Sequence, residues 1–341
     1  MTGGPVTVAG VTVEPGERRD VAPLASESYT GERITLPMAV INGAEDGPRV
    51  FLTAAVHGDE LNGIATARRL LELLDPATLR GSLVVVPIVN VLGVQIGSRY
   101  LPDRRDLNRS FPGSETGSIA ARIARLVTDE VIDDSDAGID LHTAANNRTN
   151  VPQVRVADEQ QDAAALAVAF GAPFVLTARL RPGSLRQAAL DRGVPVVTFE
   201  GGQPLRFDEE AVDVALRGTL RVLQRLDMID DAPAPAHPAP MVLKESRWLR
   251  ADHGGLLDLH CAPGDRVEAG QPLWTTVSPL GAERASVEAE EEGYIIGATT
   301  LPLVQPGQAL LHLALPGDRV PSEDDPTDEE DEEDPEGVET D

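Results

Sequence analysis

Residues 50–63 read VFLTAAVHGDELNG, and the order of residue types in this stretch predicts a strand, a turn and a helix. The apolar run 50–56 predicts a buried strand, His57 and Gly58 follow it as a turn, and Glu60 opens a helix-like stretch that extends to residue 74. A buried strand that leads through a short turn into a helix is the repeating unit of α/β proteins. Open α/β sheets bind ligands at the carboxyl ends of their strands, so His57 and Glu60 are predicted to point into one crevice.

The same alternation of strand and helix continues along the chain. Apolar runs rich in Val and Ile predict further buried strands at residues 83–89, 138–142, 154–157, 174–177 and 194–199. Helical periodicity is found at residues 60–74, 118–132, 158–170 and 209–226. This order predicts an α/β fold with a mainly parallel sheet that has helices on both faces.

The pattern changes after residue 228. Residues 230–240, DDAPAPAHPAP, are too rich in proline for a helix or a central strand and are interpreted as a semi-rigid linker in which His237 is solvated. Residues 241–317 contain short extended runs broken by glycine turns, which predict a small all-β domain. Residues 318–341 are predicted to be an acidic, disordered tail, and residues 1–229 form the predicted α/β domain.

Composition excludes several functional classes. The chain has 341 residues with 56 acidic and 29 basic side chains, a net charge of -27, which argues against nucleic acid or an anionic membrane as a partner. Neither a secretory leader nor a run of eighteen apolar residues is found, so a cytoplasmic protein is predicted. The single cysteine, Cys261, cannot form an internal disulfide. The oligomeric state stays open, and a homo-oligomer is one option.

A metal site is the first chemical hypothesis. His142, in GIDLHTA at residues 138–144, ends another predicted strand, and Asp140 lies two residues earlier on the same face. Together with His57 and Glu60, His142 gives two histidines and one glutamate. This is the ligand set of catalytic zinc sites that leave one position open. Asp140 is placed to orient a ligand histidine. Taken singly these residues are weak evidence, because a histidine at a strand end is more often simply hydrogen-bonded.

Two other segments carry polar residues in unusual positions. Residues 104–113 read RRDLNRSFPG, in which Asn108 and Arg109 offer a donor and a guanidinium group suited to a carboxylate. Residues 194–202 read VPVVTFEGG, where Glu200 ends a strongly apolar strand. The alternative interpretations are a salt bridge that closes a loop for Arg109 and a turn cap for Glu200.

Four motifs, HGDE, RDLNRSFPG, DLHTA and TFEGG, occur in that order, and together they resemble the succinylglutamate desuccinylase and aspartoacylase family, a branch of the zinc carboxypeptidase-like hydrolases. The resemblance implies one Zn²⁺ per chain bound by His57, Glu60 and His142. It implies that Glu200 is the general acid and base. Substrate and carbonyl contacts are implied for Asn108, Arg109 and Arg99, although Arg104 and Arg105 compete with Arg99 for the role of polarising the scissile carbonyl.

The function expected from this resemblance is hydrolysis of the amide bond of a small N-acyl amino acid or related carboxylate, a carbon–nitrogen bond other than a peptide bond. A metallocarboxypeptidase acting on peptides is the alternative, and a non-catalytic protein of the same fold is a third hypothesis. The C-terminal segments also resemble half-repeats of biotinyl or lipoyl carrier domains. The stretch 278–293 between them contains no lysine for attachment of a cofactor, which disfavours a carrier function.

Overall fold

The structure, a computed structural model, describes residues 3–28, 30–157, 161–236 and 239–317, without the side chains of residues 161, 283 and 284. The predicted acidic tail at residues 318–341 and His237 of the predicted linker lie outside the described residues. None of the described helices is both long enough and apolar enough to cross a membrane.

The described residues form twenty strands and six α-helices. The strands are β1 Val6–Val8, β2 Val11–Val13, β3 Glu17–Val21, β4 Leu24–Glu27, β5 Arg33–Thr35, β6 Met38–Asn42, β7 Glu45–Ala54, β8 Arg80–Val86, β9 Ala137–His142, β10 Arg148–Val156, β11 Phe174–Thr177, β12 Val196–Gly202, β13 Met241–Arg250, β14 Gly255–Leu259, β15 Arg266–Val267, β16 Pro272–Val277, β17 Glu283–Glu288, β18 Gly293–Thr299, β19 Leu303–Val304 and β20 Ala309–Pro316. The helices are α1 Asn62–Leu73, α2 Val91–Ile96, α3 Ile119–Val127, α4 Gln161–Phe170, α5 Leu185–Leu190 and α6 Glu209–Arg225. A 3-10 turn at Leu107–Arg109 and a π-helical turn at Thr128–Ile132 complete the set.

Twelve strands form one sheet in the order β15-β18-β20-β13-β11-β10-β12-β9-β7-β8-β6-β3. Strand β9 runs parallel to both β7 and β12, β7 is parallel to β8, and β11 is parallel to β10 and β13. The predicted α/β class is therefore confirmed. The sheet is mixed rather than mainly parallel, because β10 pairs with β12 in antiparallel orientation and so do β6 with β8 and β3 with β6.

The reversal at β10 has a simple cause. Residues 143–147 alone connect the end of β9 to the start of β10. A parallel neighbour would need a crossover connection of about a dozen residues or more. Strand β10 therefore turns back along the sheet directly after His142. The six strands within residues 6–42 were not predicted; five of them are short and lack an apolar run, whereas β6 contains the buried run MAVI at residues 38–41, which was missed.

The C-terminal segment continues this sheet. Strand β13 pairs in parallel with β11, and β20 and β18 follow it in antiparallel order. Strand β18 also pairs with the start of β10, at Arg148 to Asn150. A separate four-stranded sheet contains β17, β16, β14 and β19. The C-terminal β module, defined as residues 241–317, thus contacts the α/β part next to the end of β9.

Side chains alternate between two apolar clusters along the central strands. Leu52, Ile139 and Phe199 belong to one cluster, which includes residues of α1, α4 and α6. Phe51 and Val196 belong to the other, which includes residues of α3 and α5. Successive residues of a strand point to opposite faces. Asp140 and His142 of β9 and Glu200 of β12 therefore lie on the same face of the sheet as Phe51 and Val196.

The turn after β7 fixes the position of His57. Ala55 adopts a positive φ of 50°, a left-handed conformation that costs an alanine about 1–2 kcal/mol, and its carbonyl accepts a hydrogen bond of 2.8 Å from Asn90 N. A Cβ on Gly58 would lie 2.1 Å from the carbonyl carbon of Gly93, so this position requires glycine. Helix α1 begins at Asn62, two residues later than predicted, which leaves Glu60 in the turn.

A buried histidine in the C-terminal β module makes stability depend on pH. His312 stacks on Trp248 with ring centroids 4.7 Å apart, and the guanidinium of Arg148 lies 4.4 Å from the centroid of the Trp248 ring. Burial, with Arg155 and Arg148 nearby, lowers the pKa of His312 well below its ordinary value. The unfolded chain then binds a proton below about pH 6.5 that the folded chain does not bind.

We therefore expect the free energy of unfolding to fall, relative to a His312→Phe variant, by about 1.4 kcal/mol per pH unit as the pH drops below about 6.5. Phenylalanine preserves the ring that stacks on Trp248 and removes the titrating nitrogens. Urea unfolding of both proteins at several pH values measures the difference. Parallel pH profiles for the two proteins would contradict the expected uptake of a proton.

Candidate metal centre

Three side chains from two strand ends converge in the interior. His57, Glu60 and His142 are each no more than 4% exposed, and they offer ligand atoms that all lie within 4.8 Å of one another. Glu60 Oε1 lies 2.7 Å from His57 Nδ1, and Glu60 Oε2 lies 2.8 Å from His142 Nδ1. The two imidazole rings thus present their Nδ1 atoms to the same carboxylate. The structure brings together the three predicted ligands.

The orientation of His142 is fixed by a carboxylate on its own strand. His142 Nε2 lies 2.8 Å from Asp140 Oδ2, and Thr53 Oγ1 donates a 2.7 Å hydrogen bond to Asp140 Oδ1. Thr143 N donates to Glu60 Oε2 at 3.0 Å. The predicted contact between Asp140 and a ligand histidine is therefore present. An ionised Asp140 can only accept, so the Nε2 atom of His142 carries the proton and Nδ1 is left for another partner.

Charges at this centre are strongly coupled. Burial alone would raise the pKa of the Glu60 carboxyl, but His57 and His142 outweigh it and hold that pKa well below its usual range. Burial alone would lower the pKa of His142, whereas Asp140 and Glu60 raise it well above its ordinary value. The pKa of Glu60 is lowered and that of His142 is raised because each charge stabilises the other. The centre therefore favours a carboxylate beside positive charge.

This donor set fits a divalent cation. Two imidazole nitrogens and one carboxylate bind first-row divalent metals, and buried carboxylates and imidazoles normally need a partner that offsets their desolvation. The Nε2 proton of His142 points at Asp140. The contact between His142 Nδ1 and the Glu60 carboxylate is then bridged either by a second proton or by a metal cation that replaces it. His57 Nε2, 3.4 Å from Asp106 Oδ1, makes no hydrogen bond to any described residue.

Glu200 lies beside the three ligands on the neighbouring strand. In the parallel pairing of β12 with β9, Glu200 is the register partner of His142, and Thr198 is the partner of Asp140. Register partners on adjacent strands point to the same face. The Glu200 side chain is 17% exposed. It therefore combines proximity to the candidate metal centre with access to solvent.

The structure separates the three candidate arginines. Arg99 Nη1 lies 3.5 Å from Glu60 Oε1, and its Nη2 donates a 3.2 Å hydrogen bond to Asp106 Oδ2. Arg104 and Arg105 are exposed. Arg105 pairs with Asp103 at 3.5 Å. Of these three guanidinium groups, the one that contacts a predicted metal ligand is that of Arg99.

Asp106 is a site residue that sequence reasoning missed. It lies between His57 Nε2 and Arg99 Nη2, at 3.4 and 3.2 Å. Burial would raise its pKa, but its contact with His57 and the positive charges of Arg99 and Arg109 hold that pKa well below its usual range. The available signal was an acid inside RDLNR, which the basic residues around it obscured.

Asn108 and Arg109 form the 3-10 turn that follows Asp106. Asn108 Oδ1 accepts a 2.9 Å hydrogen bond from Leu185 N, so part of this side chain anchors α5. Arg109 is exposed, and its Nη1 donates a 2.7 Å hydrogen bond to the carbonyl of Asn108. The turn thus presents a guanidinium group to solvent close to Asp106.

Cys261 does not form part of a second reactive site. Burial, with a smaller contribution from Asp265, raises the pKa of its thiol to about 11. A thiol with so high a pKa is a poor nucleophile at neutral pH. His260 beside it is exposed and lies 2.8 Å from Thr275 Oγ1. Among the described residues, the group of three or more potential metal ligands is the one formed by His57, Glu60 and His142.

Removal of the Asp140 carboxylate should weaken metal binding without removing a ligand. We expect Asp140→Asn to lower metal affinity by about 10- to 100-fold, because the His142 ring loses the charge that orients it and makes it more basic. Titration of metal-free protein against a chromophoric chelator measures the affinity. Asp258→Asn, an exposed carboxylate on β14, is the control. Equal affinity of the Asp140→Asn variant and the unmodified protein would contradict this role.

Comparison with known proteins places the chain in a family. Residues 46–226 match the model of the succinylglutamate desuccinylase/aspartoacylase catalytic domain. The chain belongs to the succinylglutamate desuccinylase/aspartoacylase family. The matched range contains the three potential ligands, Asp140 and Glu200.

Similarity to individual proteins extends over most of this chain and of theirs. The chain is 29% identical over 286 residues to the N-alpha-acetyl-L-2,4-diaminobutyric acid deacetylase of Halomonas elongata, covering 80% of this chain and 83% of that protein. The crystal structure of a succinylglutamate desuccinylase/aspartoacylase from Rhodobacter sphaeroides has a TM-score of 0.79 and 24% identity, covering 88% and 96% of the two chains. The product-bound ectoine utilization protein EutE (DoeB) from Ruegeria pomeroyi has a TM-score of 0.77 and 22% identity, covering 87% and 95%. The two structural likenesses indicate a shared fold over most of the chain.

Proposed function

We propose that this family member is a zinc-dependent hydrolase that cleaves the amide bond of a small N-acyl amino acid or related carboxylate. Its proposed architecture is a carboxypeptidase-like hydrolase domain at residues 1–229 with helices on both faces, a linker at 230–240 and an all-β domain at 241–317. The observation that carries the proposal is the buried group of His57, Glu60 and His142 with Glu200 in register beside it.

Amide hydrolysis at neutral pH needs an activated nucleophile, stabilisation of a developing oxyanion and protonation of the departing amine. His57, Glu60 and His142 would hold a zinc ion, which would supply the first two by lowering the pKa of water to about 7 and offsetting negative charge. Glu200 accepts a proton from the attacking water as the oxygen bonds to the carbonyl carbon. It then gives that proton to the amide nitrogen as the carbon–nitrogen bond breaks, which releases a carboxylic acid and an amine.

Positive side chains orient the substrate in this proposal. Arg99, held between Glu60 and Asp106, polarises the scissile carbonyl. The exposed guanidinium of Arg109 pairs with the substrate carboxylate, and Asn108 supports it. Fixing the carboxylate converts binding energy into alignment of the carbonyl with the nucleophile. The names of the relatives, one a deacetylase of an N-acetylated diamino acid, support an N-acyl substrate.

A substrate panel tests the proposed reaction. Protein loaded with one equivalent of zinc should hydrolyse at least one class among N-acetyl and N-succinyl amino acids, including N-acetylated diamino acids, and release one amine per turnover. Peptides with free carboxyl termini form the second arm of the panel. Cleavage of peptides with no turnover of N-acyl amino acids would establish the carboxypeptidase alternative. Absence of turnover on both arms with zinc bound would overturn the hydrolase proposal.

A further inference from the structure

We propose that Asn150 is a positioning residue for Glu200, and that the C-terminal β module holds Asn150 in place through Gly297. The inference rests on the proposed role of Glu200 as the proton carrier of the reaction. Asn150 Nδ2 donates a 2.8 Å hydrogen bond to Glu200 Oε2. Arg155 Nη1 lies 3.5 Å from the other oxygen, Oε1. One nitrogen from β10 therefore faces each carboxylate oxygen, through a hydrogen bond at Oε2 and an ion pair at Oε1.

A bulge in β10 aims the Asn150 side chain at Glu200. Asn150 is the register partner of Gly202, whereas Gln153 is the partner of Glu200, so the register shifts by one residue between the two pairs. Pro152 lies within this irregularity, where its missing N–H group is tolerated. Bulges next to active sites commonly redirect a side chain. Asn150 is 7% exposed. Its side chain contacts Glu200, which lies two residues before Gly202, the register partner of Asn150.

The opposite side of Asn150 is closed by the C-terminal β module. Asn150 pairs with Gly297 of β18. A Cβ on Gly297 would lie 2.6 Å from Asn150 Oδ1 and 3.2 Å from the carbonyl oxygen of Thr149. The carboxamide thus lies between β18 and Glu200, with its oxygen near Gly297 and its nitrogen on the carboxylate. Glycine at position 297 allows this approach.

The chemistry of a carboxamide suits this role. Glu200 must first accept and then donate a proton, and its carboxylate has to keep one orientation through both steps. The amide N–H of Asn150 restrains Oε2 but cannot take up the transferred proton. The contact therefore fixes the carboxylate without competing for the proton. Through this contact the C-terminal β module takes part in catalysis by positioning Glu200.

Two variants separate the hydrogen bond from the shape of the side chain. In the full-length zinc-loaded enzyme, we expect Asn150→Ala to lower kcat by about 10- to 100-fold, with KM and zinc content unchanged. Asn150→Asp retains the size of the side chain and loses the donor, so it should lower kcat at least as much. If Asn150 only filled space, Asn150→Asp would retain wild-type kcat, which would overturn the inference. Thermal unfolding identifies any variant that does not fold.

Double variants test whether the effect passes through Glu200. In a Glu200→Gln background, Asn150→Ala should change the residual kcat by less than about 2-fold, because coupled residues are non-additive. An undiminished loss in that background would overturn the positioning role. Wild-type kcat in Glu200→Gln alone would overturn the proposed role of Glu200 as well. Loss of kcat in Glu200→Gln with wild-type kcat in both Asn150 variants would overturn this inference and leave the proposed function intact.

A third variant tests the contribution of the C-terminal β module. Gly297→Ala places a methyl group against Asn150 Oδ1, so it should lower kcat in the wild-type background and have a smaller effect in the Asn150→Ala background. Gly4→Ala is the matched control, since nothing lies within 4 Å of its added Cβ. Equal losses from Gly297→Ala in both backgrounds would show that β18 acts independently of Asn150 and would overturn this part of the proposal.

Discussion

Replacement of Glu200 by Gln is expected to lower kcat by about two to four orders of magnitude while the protein retains its metal. The amide has nearly the same shape as the carboxylate and can still interact with neighbouring donors through its oxygen. It cannot accept a proton from the attacking water at neutral pH or return it to the departing amine. Steady-state kinetics on the best N-acyl substrate, with metal content measured on the same sample, provide the readout.

The matched control for this variant is Glu72→Gln. The Glu72 carboxylate is 60% exposed and pairs with Arg68 on the surface of α1. Exposed pairs of this kind contribute little to stability, so kcat and metal content should stay at wild-type values. A Glu200→Gln variant that keeps more than about a tenth of wild-type kcat with a full complement of metal would exclude Glu200 as the general acid and base.

Replacement of His57 by Ala should remove both the bound metal and the activity. One of three protein ligands is lost, and the remaining imidazole and carboxylate bind a divalent cation poorly. The fall in affinity should exceed the roughly 10- to 100-fold loss expected for a residue that only orients a ligand. Elemental analysis after dialysis and kinetics with added zinc are the measurements. His142→Ala should behave in the same way.

His253→Ala is the control for both histidine variants, because His253 is exposed in the C-terminal β module. Its metal content and kcat should equal those of the unmodified protein. Thermal unfolding should accompany the measurement, since loss of either ligand leaves the buried Glu60 carboxylate without one of its two imidazole partners. Retention of one metal per chain by His57→Ala would remove His57 from the ligand set.

Strand ends were the informative part of the sequence. The apolar runs before His57, His142 and Glu200 predict strands, and the carboxyl ends of parallel neighbours meet at one edge of a sheet. Strands β7, β9 and β12 are parallel neighbours, so the three motifs lie together. Asp140 was predictable for the same reason, because residues two apart on a strand share a face. Pattern and spacing were sufficient where the local structure is regular.

Contacts made by irregular backbone could not be predicted. Arg99, Arg104 and Arg105 are equivalent by residue type, and the turns around them decide that Arg99 contacts Glu60. Asn150 reaches Glu200 only because of the bulge in β10. A bulge shifts register by one residue, which a period-two pattern does not reveal.

The antiparallel orientation of β10 follows from its start at Arg148, six residues before the predicted strand, whereas the continuation of the sheet into β13 depends on tertiary pairing. The apolar run of β18 predicts an extended segment but does not predict its pairing with the start of β10, which brings it towards the candidate metal centre. The sequence predicted a small all-β domain at residues 241–317. The structure adds that its strands β13, β15, β18 and β20 belong to the central sheet.

The proposed chemistry requires that His57, Glu60 and His142 bind one divalent cation. X-ray diffraction from crystals of the purified protein, with data collected above and below the zinc absorption edge, measures this directly. One anomalous peak per chain is expected within about 2.0–2.2 Å of a ligand atom from each of the three residues. A well-ordered site with no anomalous peak after growth and purification with zinc, or a peak bound by other residues, would contradict it.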